Sequence, residues 1–342
     1  MANKNSGLGA AKRGKNDEFY TQRSDIENEL RHYADHFRGK VVYCNCDDPK
    51  ESEFWQFFAR NFKPWGIKKL IATHYETDAE NFSYVLELSE DTNGDGVVDW
   101  SDEPVVTQLP CNGDFRSAAC IELLKEADIV VTNPPFSLFR EYIGQLIEYD
   151  KKFIIIGNQN AVKYKEIFPL IKDGKIWLGY GFPGNVGFFR APYEDYAVSS
   201  QHKDGLIRVS GVMWFTNLDI PKRHQPLDLR GNYYDHEKYP KLANYDAINV
   251  CNVSDIPCDY DGVIAVPITF MSKFCPEQFE LIGRTGDIEW SENVCDFYNP
   301  PPMEMQKAYR AYNKTWRVQN AYVLDENGNP VTIYDRLFIR RK

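Results

Sequence analysis

The chain has 342 residues, 43% of them hydrophobic and 14% aromatic, with eight cysteines and a formal net charge of −10. This length suits one large domain or two modest ones with a substantial core. No apolar run is long enough to span a bilayer and no apolar signal core opens the chain, so a cytoplasmic protein with no membrane partner is expected.

The cysteines include no Cys-x-x-Cys pair, and Cys251, Cys258, Cys275 and Cys295 are spaced atypically for zinc. Reduced thiols and no metal are therefore expected. The acidic balance argues against a nucleic-acid partner until the charge is located. Residues 76–103 hold ten acids and no Lys or Arg, which accounts for the whole net charge. The two ends are basic, with Lys4, Lys12, Arg13 and Lys15 before any acid and Arg340-Arg341-Lys342 at the close. A local basic surface is what phosphate contact needs, although solubility alone explains such tails equally well.

Residues 1–16, rich in Gly, Ala, Asn and Lys, are expected to be disordered. A helix follows from about Asp17, capped by Ser24 or Asp25, with Ile26, Leu30, Tyr33 and Phe37 spaced along one face and Gly39 ending it. Lys40–Cys44 reads as a buried strand, then comes an aromatic helix through Phe54, Phe57, Phe58 and Phe62, then a strand at Lys69–Thr73. Tyr84–Leu88 and Val97–Leu109 alternate like a hairpin around an acidic loop. A helix near Ala118–Lys125 leads to a strand ending at Asn133. Another, about Leu138–Tyr149, leads to Phe153–Ile156. Strands alternating with helices at this spacing predict an α/β fold with a doubly wound, mostly parallel sheet, whose ligands bind at the carboxyl ends of the strands. The turns at 44–48, 114–115 and 133–136 lie at that edge. Beyond about residue 220 the chain turns to short strands with many Pro and Tyr. The expected division is 17–219, a catalytic domain with an acidic hairpin insert at 76–109, and 220–342, a β-rich region.

Asp128-Ile-Val-Val-Thr-Asn133-Pro134-Pro135-Phe136 carries the chemistry. An apolar strand runs into two prolines, which end it and stiffen the turn. Such a turn can hold the Asn133 side-chain oxygen and the Pro134 carbonyl pointing the same way, two acceptors suited to the hydrogens of an amino group. Phe136 adds a flat face for a planar ring. An ordinary turn and a core phenylalanine account for the same residues.

Several segments in one order add a resemblance. Val42-Tyr43-Cys44-Asn45-Cys46-Asp47-Asp48-Pro49, Gly113-Asp114-Phe115-Arg116-Ser117, Asn133-Pro134-Pro135-Phe136-Ser137-Leu138-Phe139, Tyr245–Val250, Val266–Phe270 and Pro276–Leu281 resemble the adenine-N6 DNA methyltransferases of the EcoRI modification-methylase type. The likeness runs from Asp17-Glu18-Phe19-Tyr20-Thr21 to the closing basic strand. It implies a Rossmann-like class I methyltransferase with a C-terminal target-recognition region, S-adenosylmethionine as cofactor and double-stranded DNA as partner. A monomer is expected, paired functionally with a restriction endonuclease, and a palindrome related to GAATTC is the first site to test.

The resemblance also implies roles. Tyr20 and Thr21 would close over the methionine part of the cofactor, and Cys44, Asn45, Asp47 and Asp48 would lie beneath it. Asp114 and Phe115 would grip its adenine. Asn133 and Pro134 would hold the target amino group beside the cofactor, with Pro135 stiffening the turn and Phe136 stacking on the flipped base. Two features depart from methyltransferases at large. The loop after the first strand has no glycine, as in the EcoRI type. The second strand has no acid at its end, Glu76 being the nearest. Trp214 and Phe215 are candidates for a second aromatic against the base or for a core strand. Lys163, Arg190, Arg208 and Arg223 are candidates for phosphate contact or solvated charges. Lys307, Arg310, Lys314 and Arg317, interleaved with Tyr309, Tyr312 and Trp316, suit DNA or an amphipathic packing helix. Asp91–Asp102 nearly fits a calcium loop but has Asp where the bidentate Glu belongs, and Asn-Gly-Asp-Gly is by itself a hairpin turn. A methyltransferase acting on a protein glutamine amide or RNA, and an inactive DNA-binding decoy, are the competing functions.

Overall fold

The computed structural model describes residues 19–46, 48–76, 81–190, 202–203, 205–233, 239–287 and 292–342. The tail at 1–16 and Asp47 lie outside them. The chain divides into two compact units, one running through Ile171 and Lys175–Ile220, the other formed by Lys172–Gly174 and Pro221–Lys342. Among the described residues no helix is long and apolar enough to cross a membrane.

The first unit contains strands β1 (Tyr20–Thr21), β2 (Val41–Cys44), β3 (Lys69–Thr73), β4 (Tyr84–Leu88), β5 (Val105–Gln108), β6 (Ile129–Thr132), β7 (Lys152–Asn158), β8 (Trp177–Leu178), β9 (Val186–Arg190), β10 (His202–Lys203), β11 (Leu206–Ser210) and β12 (Val212–Thr216). Its helices are α1 (Arg23–Leu30), α2 (Glu53–Trp65), α3 (Ala118–Glu126), α4 (Phe139–Glu148) and α5 (Phe168–Lys172), whose last residue falls in the second unit. An eight-stranded sheet in the order β5-β4-β3-β2-β6-β7-β12-β8 forms its centre. The middle four strands, β3-β2-β6-β7, pair in parallel, and antiparallel strands finish both edges. The parallel strands are near-continuous apolar runs because both faces are covered: Val42, Tyr43, Val130, Val131 and Phe153–Ile156 are fully buried. A smaller antiparallel sheet, β1-β9-β11-β10, ties the N-terminal segment to residues far along the chain.

Local chemistry sets the helix ends. The Ser52 hydroxyl accepts the Phe54 N–H at 3.2 Å to open α2, and Gly66 closes it with φ 64°. Its face of Phe54, Phe57, Phe58 and Phe62 packs into the core. The first helix departs from expectation. Because β1 extends to Thr21, the chain turns at Gln22, which takes the cap position without a side-chain bond. After Leu30 the helix tightens to a 3-10 run over Arg31–Phe37, although Tyr33 and Phe37 still bury as their spacing predicts.

Asp25 thereby lands in the first turn of α1, where burial pushes its carboxyl up to about 6. A carboxyl that ionises less readily in the fold than in the unfolded chain costs stability at neutral pH. The cost is absent below about 4 and fully felt above the folded value. Asp25→Asn is therefore expected to raise stability at pH 7 by about 1 kcal/mol once solvent screening is allowed for. Denaturant unfolding of both proteins at pH 4 and pH 7 checks this; the same difference at both pH values would rule it out.

A buried acid also organises α1. The Glu29 carboxylate accepts the Tyr33 hydroxyl and the N–H groups of Tyr180 and Gly181, each at 2.8 Å. A Cβ at Gly179 would sit 2.1 Å from Glu29 Oε1, so the close approach requires glycine there.

In the acidic insert, β4 and β5 pair as a hairpin, but only Val105–Gln108 of the expected second strand is extended. The preceding stretch forms turns instead. Asp91 accepts the N–H groups of Gly94 and Gly96 at 2.7 Å, and Asp102 accepts those of Thr92, Asn93 and Asp99. Backbone N–H groups, that of Asp99 foremost, hold the Asp102 carboxyl below its usual range. Among the described residues no group of three or more His, Cys, Asp or Glu is arranged to hold a metal.

The second unit contains β13 (Ala247–Asn249), β14 (Val263–Pro267), β15 (Phe279–Arg284), β16 (Tyr322–Leu324), β17 (Pro330–Thr332) and β18 (Arg336–Arg341), with α6 (Glu292–Cys295) and α7 (Met303–Tyr312). Four strands form a sheet in the order β13-β14-β18-β15, and β16 and β17 form a hairpin. Tyr245, Ala247, Val263, Ile282 and Phe338 make its core. Tyr309, Trp316 and Tyr322 pack in a satellite cluster, while Lys307, Arg310, Lys314, Arg317 and Tyr312 face solvent.

Candidate active site

β6 ends at Thr132, and the prolines turn the chain directly into α4, with the Leu138 N–H donating to the Pro135 carbonyl at 2.9 Å. Asn133 is 4% exposed. Its Nδ2 donates to the Phe19 carbonyl, which can only accept, so the amide's orientation is set. Its Oδ1 is buried and has no hydrogen-bond partner among the described residues. An orphan acceptor of this kind is costly in a folded protein and marks a place where a donor belongs. Pro134 is buried; Pro135 and Phe136 are half-buried. The Phe136 ring leans on Phe19 at 5.9 Å, and Phe19 leans on Phe189 at 5.7 Å.

The same N-terminal segment supplies a second orphan. Tyr20 pairs with Arg190 and Thr21 with Phe189 across β1 and β9. Thr21 is 2% exposed, and its hydroxyl has no partner among the described residues.

The loop after β2 is welded to β6 and α4. The Asn45 carbonyl accepts the Thr132 hydroxyl, and Asn45 Oδ1 accepts the Tyr142 hydroxyl. No glycine is present, yet Cys46 adopts φ 62°, the left-handed conformation glycine would supply. Cys44 and Asn45 are each 2% exposed. Asp48 accepts the Lys50 N–H at 2.9 Å and lies 3.2 Å from His74 Nδ1, while His74 Nε2 is 3.4 Å from Glu76 Oε2. Burial, reinforced by the Asp48 carboxylate, pushes the Tyr84 hydroxyl up to about 12.

Gly113, Asp114 and Phe115 cross the end of β3. A Cβ on Gly113 would lie 2.2 Å from the His74 carbonyl oxygen, and its φ is 79°. Phe115 is 6% exposed and meets Tyr142 edge-on at 5.0 Å. Gln145 Nε2 holds the Phe115 carbonyl at 3.1 Å. The Asp114 carboxyl is held below its usual range, chiefly by the Arg116 guanidinium hydrogen-bonded to it.

Most of the residues expected at one sheet edge thus meet there. Asn45 touches Thr132 and Tyr142, Tyr142 touches Phe115, His74 lies beside Asp48 and Gly113, and Asn133 reaches Phe19. Glu76 is half-buried three residues past β3, its N–H on the Asn112 carbonyl at 2.9 Å. The Phe19 carbonyl and Tyr142 were not anticipated. The first lies inside the Phe-Tyr-Thr segment quoted above; the second carried no signal.

Trp214 and Phe215 stand apart from this group. Both are fully buried in β12, paired with β7 and β8. Trp214 stacks on Phe182 at 5.7 Å, and Phe215 packs on Phe139 at 5.0 Å. Neither ring has a face to offer a base, so the core-strand alternative holds: an apolar strand crossing the sheet must bury both sides. Arg190 donates to the Glu51 carbonyl at 2.7 Å and is exposed at the end of β9. Arg208 bonds the Ser210 hydroxyl at 2.9 Å and is exposed; Lys163 is half-buried after β7. Arg223 belongs to a short 3-10 turn, Pro221–His224, of the second unit.

The sequence pattern of the family described as adenine-specific methyltransferase EcoRI matches residues 7–342. The chain is 51% identical over 289 residues to the type II methyltransferase M.EcoRI of Escherichia coli, covering 80% of this chain and 88% of that one. It is 42% identical over 284 residues to the type II methyltransferase M.MpnI of Mycoplasma pneumoniae, covering 80% and 83%. A type II methyltransferase of Mycoplasma genitalium, M.MgeORF184P, is 40% identical over 279 residues, covering 80% and 84%.

Proposed function

Because the chain belongs to the EcoRI family of adenine-specific methyltransferases, it is a site-specific DNA adenine methyltransferase of the restriction–modification kind, and we propose that it methylates N6 of an adenine flipped out of double-stranded DNA. The observation that carries the proposal is Asn133: a buried acceptor without a partner among the described residues, oriented by the Phe19 carbonyl, at the carboxyl end of a parallel strand.

A methyltransferase needs a methyl donor, and S-adenosylmethionine is the proposed one. The residues present fit it. The buried Thr21 hydroxyl, which has no partner among the described residues, is a polar atom that a bound polar molecule would satisfy. Tyr20 and Thr21 would cover its methionine part, Cys44, Asn45, Asp47 and Asp48 would floor the site, and Asp114 and Phe115 would take its adenine. When bound, it supplies an electrophilic sulfonium methyl group.

The chain's own work is positioning. The amino lone pair of adenine is delocalised into the ring and is a poor nucleophile. Asn133 Oδ1 and the Pro134 carbonyl, each accepting one amino hydrogen, would favour a pyramidal nitrogen whose lone pair faces the methyl group. Phe136, resting on Phe19, would take the face of the base. Holding two reactants in line supplies much of the rate. No covalent adduct is needed, so Cys44, Cys46 and Cys111 have no part as nucleophiles.

In this reading the eight-stranded sheet is a doubly wound, Rossmann-like methyltransferase sheet. Residues 220–342 recognise the target, with the exposed Lys307, Arg310, Lys314 and Arg317 contacting phosphates. Arg190 and Arg223 remain further phosphate candidates. The enzyme acts as a cytoplasmic monomer, one strand at a time, alongside a restriction endonuclease. The test is transfer of labelled methyl from S-adenosylmethionine to duplexes with and without GAATTC. Label recovered as N6-methyladenine supports the reading. Label only on protein glutamine or RNA would sink it.

A further inference from the structure

Arg116 does to Asp114 and Phe115 what the cofactor's adenine is proposed to do. Its guanidinium carbon lies over the Phe115 ring, 5.2 Å from the centroid. Its Nε donates to Asp114 Oδ1 at 2.8 Å and its Nη2 to Oδ2 at 2.6 Å. The backbone N–H of Arg116 adds a third donor to Oδ1 at 2.9 Å. A guanidinium and an aminopurine share the relevant chemistry: both are planar, both present N–H donors in their plane, and both lie on aromatic faces. They cannot use one carboxylate edge and one ring face together. A second resting place is already in reach, since Arg116 Nη1 stands 3.4 Å from each carboxylate oxygen of Glu141 on α4.

We propose that Arg116 is a built-in competitor for the adenine subsite, holding the Asp114–Phe115 edge until the cofactor arrives and then swinging onto Glu141. This rests on the assignment of Asp114 and Phe115 given above. The contest is mild, because the Arg116 side chain is 46% exposed and Asp114 21%. Losing the competitor should therefore tighten binding by about fivefold, the worth of an exposed bidentate pair.

Titration calorimetry with S-adenosylmethionine, without DNA, tests this on the full chain. Arg116→Ala should bind about fivefold more tightly at low salt. Raising the salt should tighten the wild type toward the variant, because screening weakens the internal pair while the variant has none to weaken. Arg116→Gln, which keeps a planar end without the charge, should behave as the alanine variant does and replaces it if that fails to fold. Unchanged or weaker binding by both variants, with Asp114→Ala clearly weaker than wild type, would overturn the competition and leave the subsite standing. If Asp114→Ala also binds as wild type does, the subsite assignment fails and the proposal with it.

Discussion

Asn133→Ala is expected to slow methyl transfer by about 10²- to 10³-fold while lowering S-adenosylmethionine affinity by no more than about tenfold. The asymmetry follows from the geometry. Asn133 Oδ1 is held out of solvent with no donor to it among the described residues, so its interaction is available to the reacting amino group. An interaction that strengthens as the nitrogen becomes pyramidal acts on the transition state more than on binding. The substitution also removes the hydrogen bond from Asn133 Nδ2 to the Phe19 carbonyl, a loss of about 1 kcal/mol that thermal melting will register separately. Asn133→Asp sharpens the test. It keeps acceptor oxygens at the site but sets a carboxylate against the Phe19 carbonyl, so the amide's orientation is lost. Both variants should be slow in single-turnover transfer. Alanine retaining more than about a tenth of wild-type activity would remove Asn133 from the chemistry.

Gly113→Ala should cost both stability and cofactor affinity. Two penalties coincide at this residue. Its φ of 79° is a conformation that costs a non-glycine residue about 1–2 kcal/mol, and its Cβ would lie 2.2 Å from the His74 carbonyl oxygen. Backbone on the far side cannot move aside as a long side chain would, so the segment must lift away from β3. Asp114 and Phe115 travel with it. A displacement of this kind should weaken S-adenosylmethionine by about tenfold or more, alongside a melting temperature lower by several degrees. Lower stability with unchanged affinity would separate this crossing from the cofactor site.

The central sheet was legible because buried parallel strands must be apolar on both faces. Val41–Tyr43, Ile129–Val131 and Phe153–Ile156 therefore announce themselves as short hydrophobic runs, and their helices follow from caps and spacing. The same rule made Trp214 and Phe215 ambiguous: an apolar strand and an aromatic platform use the same residues, and only the partners on each side decide. Contacts distant in sequence left no local trace. The pairing of Tyr20 and Thr21 with β9 puts a strand where the expected first helix was to begin, and the tie from Asn133 to Phe19 spans 114 positions. The glycine-free loop after β2 looked like a departure from methyltransferase practice. Cys46 takes the glycine-like conformation itself, so residue type misled where backbone geometry agreed.

The open edge of the large sheet bears on how the protein behaves in a crowded solution. Every residue of β5 is exposed, Val105 by 46% and Val106 by 60%, and its outer backbone edge has no neighbouring strand among the described residues. Such an edge is a template for a strand from another molecule. The connection from β4 to β5 carries six acids and no Lys or Arg. Two copies joining edge to edge through this four-residue strand would bring both acidic loops close to the seam, and their mutual repulsion opposes the union. Screening ions erode that repulsion, so the guard is strongest in dilute salt. The charge that first argued against a nucleic-acid enzyme thereby acts as a colloidal safeguard for its sheet.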